Sequence, residues 1–519
     1  GEDGYIKKET ANLLLQSNQF DTTWTTASAS VTSGQGGYDG SNDAWLLDKS
    51  GSTGRVKQDI NLSGVNAFSI YAKANTSSWV RLLINGAALA YFDLSTGSVG
   101  TTDVSGFIDA KIENVGNGWY RCSLIANGSS TLVNIVVADA DNVVSGTSGS
   151  IYIQDAQLNQ GLVAQDYLET TTAPVYGGLT DNMPRLDYTD ATCPSLLLEP
   201  SRTNLVPYSE YFGGWQQASS PIITANATTS PEGVENAYLL TSTQVSTRVQ
   251  VPVSPTGTNI QSVYIKYAGS DTRVRIAGLA SSNDRFELNV TSSGITVYSA
   301  QSGIIDYSIE SVGNDWYRVT STQSGGNYYQ IYADVTGNNG SIYIYGAQLE
   351  EGSYPTSYIP TYGSSQTRLN DYAGATTSLT DAATLFYHFE KTPLQGNRRF
   401  FSLSGASSYI QIIDSYADLS YRFLFYANGG VILDTTINAG DFDEYKFALA
   451  FTRTSLNIFI NGTKYSYSFA DVGFNFTKAQ FFKDYNGLIQ SPITDTRCKQ
   501  IVLFPTALSD DECIALTQN

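Results

Sequence analysis

Reactive side chains are scarce in this chain of 519 residues, which has one histidine, one methionine, four cysteines and only 15% charged residues. Any Ser-His-Asp or Cys-His arrangement would have to use His388, and multi-histidine metal sites are excluded. His388 sits in Leu385-Phe386-Tyr387-His388-Phe389, a strand pattern in which a packed or edge histidine is expected rather than a general base. Cys122, Cys193, Cys498 and Cys513 lack the paired spacing of a zinc site. Isolated buried thiols are expected, with a Cys498–Cys513 bridge as the alternative. No stretch approaches the about 18 to 20 apolar residues that span a bilayer, so membrane insertion is not expected. The glycines are scattered singly among turn residues and open no helix, which excludes a nucleotide-binding loop. Cations are also few: 29 Lys and Arg stand against 48 Asp and Glu, for a net charge of −19. That balance argues against nucleic acid as a partner and disfavours strongly anionic glycans, because both are held by Lys and Arg displacing counterions. There is no N-terminal signal pattern. The chain starts at Gly1 rather than Met, as a processed or truncated end would, leaving room for a preceding export signal or attachment segment.

What the chain does have is tyrosine (35), glycine (46) and abundant Ser, Thr, Asn and Val, a composition that suits pleated strands joined by turns and predicts an all-β protein. It also says nearly the same thing twice, about 190 residues apart and in the same order. Asn12-Leu13-Leu14, Phe20 and Trp24 return as Asn204-Leu205-Val206, Phe212 and Trp215. Ala44-Trp45-Leu46-Leu47 returns as Ala237-Tyr238-Leu239-Leu240, and Ile70-Tyr71-Ala72-Lys73 as Val263-Tyr264-Ile265-Lys266. Gly116-Asn117-Gly118-Trp119-Tyr120-Arg121 returns as Gly313-Asn314-Asp315-Trp316-Tyr317-Arg318. Ala156-Gln157-Leu158 returns as Ala347-Gln348-Leu349. Fixed core elements separated by loops of variable length would produce this pattern.

Within each copy, short alternating runs between Gly, Asn, Ser and Asp clusters predict an antiparallel sandwich. The expected layout is a first sandwich over 1–172, an ordered connector over 173–203, a second sandwich over 204–368 and a third over 369–519. Each copy closes on a tyrosine-bearing tail. In copy two, Pro355 and Pro360 forbid helix there and suggest an extended strap. In the third segment, Asn461-Gly462 predicts a tight hairpin, and Ser509 followed by Glu512 predicts a capped helical turn.

Binding readings outrank catalytic ones. In Trp79-Val80-Arg81-Leu82-Leu83, Trp79 and Arg81 share a face opposite Val80 and Leu82, placing a flat ring and a cation on the side expected to be wet. Such a surface suits sugars, which stack C–H patches on rings and give hydroxyls to polar groups. The plainer alternative is a half-buried Trp at a sheet edge. Copy two has Arg273-Val274-Arg275 at the aligned place and a different aromatic row in Tyr328-Tyr329-Gln330-Ile331-Tyr332. The candidate binding residues are therefore Trp79, Arg81, Arg275, Tyr328 and Tyr329, and the copies are expected to bind differently. Trp119-Tyr120-Arg121 and Trp316-Tyr317-Arg318 read as core anchors, with each arginine pinning a loop. Glycoside hydrolysis needs two facing carboxylates, and the best local cluster, Asp441-Phe442-Asp443-Glu444, reads as a solvated turn. No cofactor is expected. Structural calcium would be unsurprising among so many Asp and Asn turns, but no ligand spacing singles out a site.

Thr203-Asn204-Leu205-Val206-Pro207-Tyr208-Ser209-Glu210, the Trp316-Tyr317-Arg318 phrase and Gly346-Ala347-Gln348-Leu349 with Pro355-Thr356-Ser357-Tyr358 resemble the carbohydrate-binding-module-like jelly-roll repeats of bacteriophage tail-fibre, head-fibre and other virion proteins. The segment from 369 resembles a laminin-G or concanavalin-like lectin domain, through Ala448-Leu449-Ala450-Phe451 to Asn461-Gly462 and through Phe504-Pro505-Thr506-Ala507-Leu508. These resemblances imply two tandem jelly-roll sandwiches followed by a lectin-like sandwich. They imply a non-catalytic adhesin on a virion surface or otherwise extracellular, gripping host surface glycan and touching other virion proteins, and a homotrimeric or other multimeric fibre. A polysaccharide depolymerase built on the third sandwich and a purely structural virion protein are the alternatives.

Overall fold

The computed structural model describes residues 6, 8–103, 105–178, 185–187, 195–278, 284–337, 339–369, 371, 374–390, 399–414, 420–481 and 496–518. Cys193, named above, lies outside them. The protein is all-β: among the described residues the exceptions are the helix Asp510–Thr517 and one 3-10 turn, Phe212–Gly214. It forms two compact units, one from 3–180 with 203–367 and the other from 181–202 with 368–519.

The first unit holds both sequence copies, each a sandwich of two antiparallel six-stranded sheets. In copy one the back sheet runs Phe107–Gly116, Trp119–Asn127, Val65–Ala74, Gly149–Gln160, Ala44–Lys49, Ala29–Gln35. The front sheet runs Thr25–Ala27, Arg55–Leu62, Ser130–Ala138, Trp79–Ile84, Ala88–Asp93, Ser98–Thr102. Copy two repeats this order, with Thr272–Ala277 and Tyr328–Tyr332 in its front sheet. Strand alternation sends Val80, Leu82, Ile84, Val133, Ile135 and Val137 into the core of copy one, so Trp79, Arg81, Leu83 and Asn134 face away from it.

The repeated phrases are the framework's fastenings. Buried Asn12 uses its whole side-chain amide: Nδ2 donates to the carbonyls of Ala156 and Leu168, and Oδ1 accepts from the backbone of Leu14 and Leu158. Asn204 repeats the set on Ala347, Ile359, Val206 and Leu349. A buried amide satisfied four ways has no good substitute, because any lost bond leaves a desolvated polar atom. Gln157 and Gln348 hold the tails in the same manner, each donating to two tail carbonyls and accepting from Leu168 or Ile359. Arg121 donates to the Gln165 carbonyl and Arg318 to that of Thr356 at 2.6 Å, so both arginines pin the tail straps as expected. Trp119 and Trp316 are buried, but on the far face of the back sheet rather than in the sandwich core. Tyr38 and Tyr152 pack against Trp119, and Tyr264 and Tyr345 cluster with Trp316.

The copies are fused rather than strung. Val65, Ala67, Ile125 and Leu162 of copy one belong to the apolar cluster of copy two. The backbone N–H of Val65 donates to the Tyr362 carbonyl. Buried Lys8 lies 3.0 Å from Glu210 and 2.7 Å from Glu232, with the Tyr345 and Tyr358 hydroxyls completing the shell of Glu210. Burial alone would pull the Lys8 ammonium down, but Glu210 and Glu232 hold it well above its ordinary value. Burial raises the Glu210 carboxyl.

The second unit is a sandwich of seven- and six-stranded sheets around an aromatic core that includes Phe389, Tyr421, Phe447 and Phe476. The segment read as a connector contributes structure here. Arg185–Asp187 and Ser195–Leu198 form a hairpin at the edge of the seven-stranded sheet, paired to Thr496–Phe504. The Asn461-Gly462 turn has φ of 44° and 83°, and Ser509 with Glu512 makes the expected capping box. Cys122, Cys498 and Cys513 are buried, unbridged thiols, and burial pushes Cys498 up to about 12.

Candidate functional site

The back sheet of copy one is occupied on both faces, by the sandwich core on one side and by copy two and the Tyr38 loop on the other. Among the described residues of this unit its front sheet is covered on the core side alone, and on its outward face a groove of about 180 Å³ opens. Arg55, Lys57 and Arg81 line it together with Asn85, Asn134, Leu83 and Leu132. These residues come from three adjacent strands in register: Lys57 opposes Asn134, which opposes Leu83, and Arg55 opposes Val136, which opposes Arg81. Val136 is fully buried under its flanking arginines, whose stems cover apolar surface while their heads reach water.

The polar groups of the groove have spare capacity. Asn134 is only 3% exposed, and its side-chain amide makes no hydrogen bond among the described residues. Arg81 donates through Nη1 to the Tyr91 hydroxyl at 3.3 Å, but its buried Nε has no partner. Arg55 donates to the Thr53 carbonyl, and among the described residues none of Arg55, Lys57 and Arg81 forms an ion pair. Buried polar atoms normally find partners, so unfilled donors around an open groove mark a surface suited to a polar ligand.

Trp79 is half-buried one turn of the alternation from Arg81, opposite Ala138 and Asp93, with its ring against the backbone of Gly100. It shares the face with Arg81, as the alternation predicts, but it does not line the groove. Sequence reasoning missed Arg55, Lys57 and Asn134. The alternation Arg55-Val56-Lys57-Gln58 shows that the two cations share a face, but only the strand order shows which face.

The aligned face of copy two is built differently. Tyr329 is a correction: it is fully buried in the core, its ring 5.6 Å from that of Trp215, and its hydroxyl donates to the Ser262 carbonyl at 2.8 Å. It cannot stack a ligand, because Tyr328 and Tyr329 are successive strand residues and point to opposite faces. Tyr328 is half-buried on the outward face. The ring that matters there is Tyr332, which opposes Arg275 as Val136 opposes Arg81. The guanidiniums of Arg248 and Arg275 stand 5.4 and 5.2 Å from its centroid. Arg275 is further held by Glu287 through Nε at 2.8 Å and Nη2 at 2.6 Å, and Gln330 and Gln250 hydrogen-bond each other. Arg273 lies over Tyr298. The structure therefore brings Trp79 and Arg81 to one face and Arg275 and Tyr328 to the other copy's face, and it places Tyr329 on neither.

Elsewhere, His388 Nε2 lies 2.8 Å from Glu444, which Lys499 also contacts; hydrogen bonds from Lys499 and then His388 hold the Glu444 carboxyl below its ordinary value. Asp441, Phe442 and Asp443 are exposed in the turn before that strand, as expected. Asp155 departs from ordinary carboxylate behaviour. Burial pushes it up to about 7, against a 3.0 Å hydrogen bond from Tyr38 that favours its ionised form. Among the described residues, no three His, Cys, Asp or Glu converge as metal ligands.

No protein-family model and no curated protein matches the chain. Among solved structures it is similar to domains LG4-5 of the mouse laminin alpha1 chain, at 9% identity over 51% of this chain and 90% of that one, with a TM-score of 0.22. It is also similar to the N-terminal CBM22-1-CBM22-2 tandem domain of Xyn10C from Paenibacillus barcinonensis, at 10% identity over 66% of this chain and 98% of that one, with a TM-score of 0.18. Scores of this size carry nothing about a ligand.

Proposed function

We propose that the chain is a non-catalytic glycan-binding protein whose principal contact is the front sheet of copy one. The observation that carries this reading is the open groove in which three cations form no ion pair among the described residues and the side-chain amide of Asn134 forms no hydrogen bond among them. A sugar ring supplies hydroxyls for such donors and C–H faces for Leu83 and Leu132, and the neighbouring Trp79 ring extends the apolar part of the face. The setting, a phage fibre or other virion surface gripping a bacterial host's glycan, is supported by the sequence resemblance of the repeats. Affinity at one groove would be modest, and display in several copies would raise it through effective concentration.

The test is the full chain on an array of bacterial surface polysaccharides, with a reducing-end assay on every polymer it binds. Binding without new chain ends is expected. No binding to any polymer, or steady release of reducing ends, overturns the reading.

A further inference from the structure

The groove in copy one is a cationic spot on a strongly anionic protein. Net charge argues against acidic ligands, yet a ligand meets the local field of the side chains around it, and distant charges are screened within about 8 to 10 Å in ordinary salt. Here Arg55, Lys57 and Arg81 converge on one groove and none is neutralised by a carboxylate among the described residues. Asp59 opposes Leu132 at the edge of the same sheet and is exposed, while Asp93, opposite Trp79, already accepts from Ser95 and Thr96.

Copy two shows what neutralisation looks like on the same scaffold. There Gln250 stands where copy one has Lys57, Glu287 where it has Tyr91, and Tyr332 where it has Val136. The second cation is gone, the aligned arginine is paired, and a ring lies between the two guanidiniums. Copy one instead lines its groove with three cations that form no ion pair among the described residues and with the amide of Asn134. A carboxylate or sulfate accepts several charge-assisted hydrogen bonds at once from such cations, whereas a neutral hydroxyl brings no counter-charge to them.

We infer that this groove selects glycans bearing an anionic group, a carboxylate or a sulfate, with Arg81 and Arg55 as its anchors. This rests on the glycan-binding reading and names the ligand class of the same site.

The test uses the full chain and pairs of polymers of which only one member is charged: polygalacturonate beside its methyl ester, and dextran sulfate beside dextran. The expected result is binding to at least one charged member, weakened by high salt and weaker by roughly tenfold or more for the neutral partner, the factor that one lost charge-assisted hydrogen bond represents. Arg81→Gln and Arg55→Gln should each lose a similar factor with an unchanged melting temperature, while Asp59→Asn should not weaken binding. The salt response of the unaltered protein stands even if a variant folds poorly. Equal binding to charged and neutral partners, or binding to neutral polymers that survives both arginine substitutions, overturns the anionic class and leaves the glycan reading intact. Binding to no polymer of either kind overturns both.

Discussion

The two copies share their fastenings almost atom for atom and differ on the face those fastenings leave free. Asn12 and Asn204 make the same four hydrogen bonds, and Arg121 and Arg318 pin the same strap. On the front sheet, copy one pairs Arg81 with Tyr91 and Val136, where copy two pairs Arg275 with Glu287 and Tyr332. Differences of size and charge at Lys57, Tyr91, Asn134 and Val136, which copy two replaces with Gln250, Glu287, Gln330 and Tyr332, thus separate the two faces. The residues the copies share hold the sheets and straps together, and the front-sheet residues in which they differ face away from the core.

The largest expected effects concern what the copies share. Lys8→Met leaves Glu210 and Glu232 buried without a counter-charge and should cost about 3–5 kcal/mol, read from chemical denaturation at neutral pH. The carboxyls can then accept protons, so the loss should shrink as pH falls. An unchanged midpoint at pH 7 would show that the Lys8 cluster does not weld the copies. Tyr329→Ala should cost a similar 3–5 kcal/mol, because it empties a fully buried core position, while Tyr328→Ala on the outward face should cost far less. Equal costs for the two tyrosines would break the assignment of faces in copy two.

The pH effect of a carboxyl in the strand bulge should belong to copy one alone. Asp155 occupies the strand bulge that Gly346 fills in copy two, both at positive φ, and only copy one has a carboxyl there. Its folded value of about 7 lies above the ordinary 3.8, so the folded state holds this proton more tightly than the unfolded chain. The resulting stability is complete below about pH 4 and is lost as pH rises through 7, by on the order of 3 kcal/mol. Asp155→Asn, or Asp155→Gly to copy the second repeat, should flatten that slope between pH 4 and 8. A slope that persists in both variants would assign the titration to another group.

How much of this could be read beforehand follows from what strand periodicity encodes. Alternation assigned Trp79 and Arg81 to one face, and the duplicated Trp-Tyr-Arg phrase revealed the strap anchors, because both are local patterns. It could not show that Arg55–Leu62 lies beside Ser130–Ala138, more than seventy residues away, so Arg55, Lys57 and Asn134 were not gathered with Arg81 into one groove. Tyr328 and Tyr329 were grouped by composition, although adjacent strand residues must diverge, and only the sheet could decide which one faced water. Likewise Leu196-Leu197-Leu198 read as ordered, but its place at the edge of the third sandwich depends on pairing with strand Thr496–Phe504, about 300 residues on.

The smallest effect sharpens the comparison most. Glu287→Gln removes the carboxylate that holds Arg275, a partly buried pair with side chains 21% and 12% exposed, whose loss should cost about 1–2 kcal/mol in stability. Its informative readout is binding to the anionic polymers in an Arg55→Gln/Arg81→Gln background, in which both anchors of copy one are removed. If copy two then gains salt-sensitive binding, a single carboxylate separates the two faces. If it stays inert, Tyr332 and the Gln250–Gln330 bond close the face sterically even when its charge is free. The second outcome is expected, because the side chains that make room in copy one, Val136 and Asn134, are replaced by Tyr332 and Gln330 at the aligned positions, and removing a charge does not reopen a filled groove.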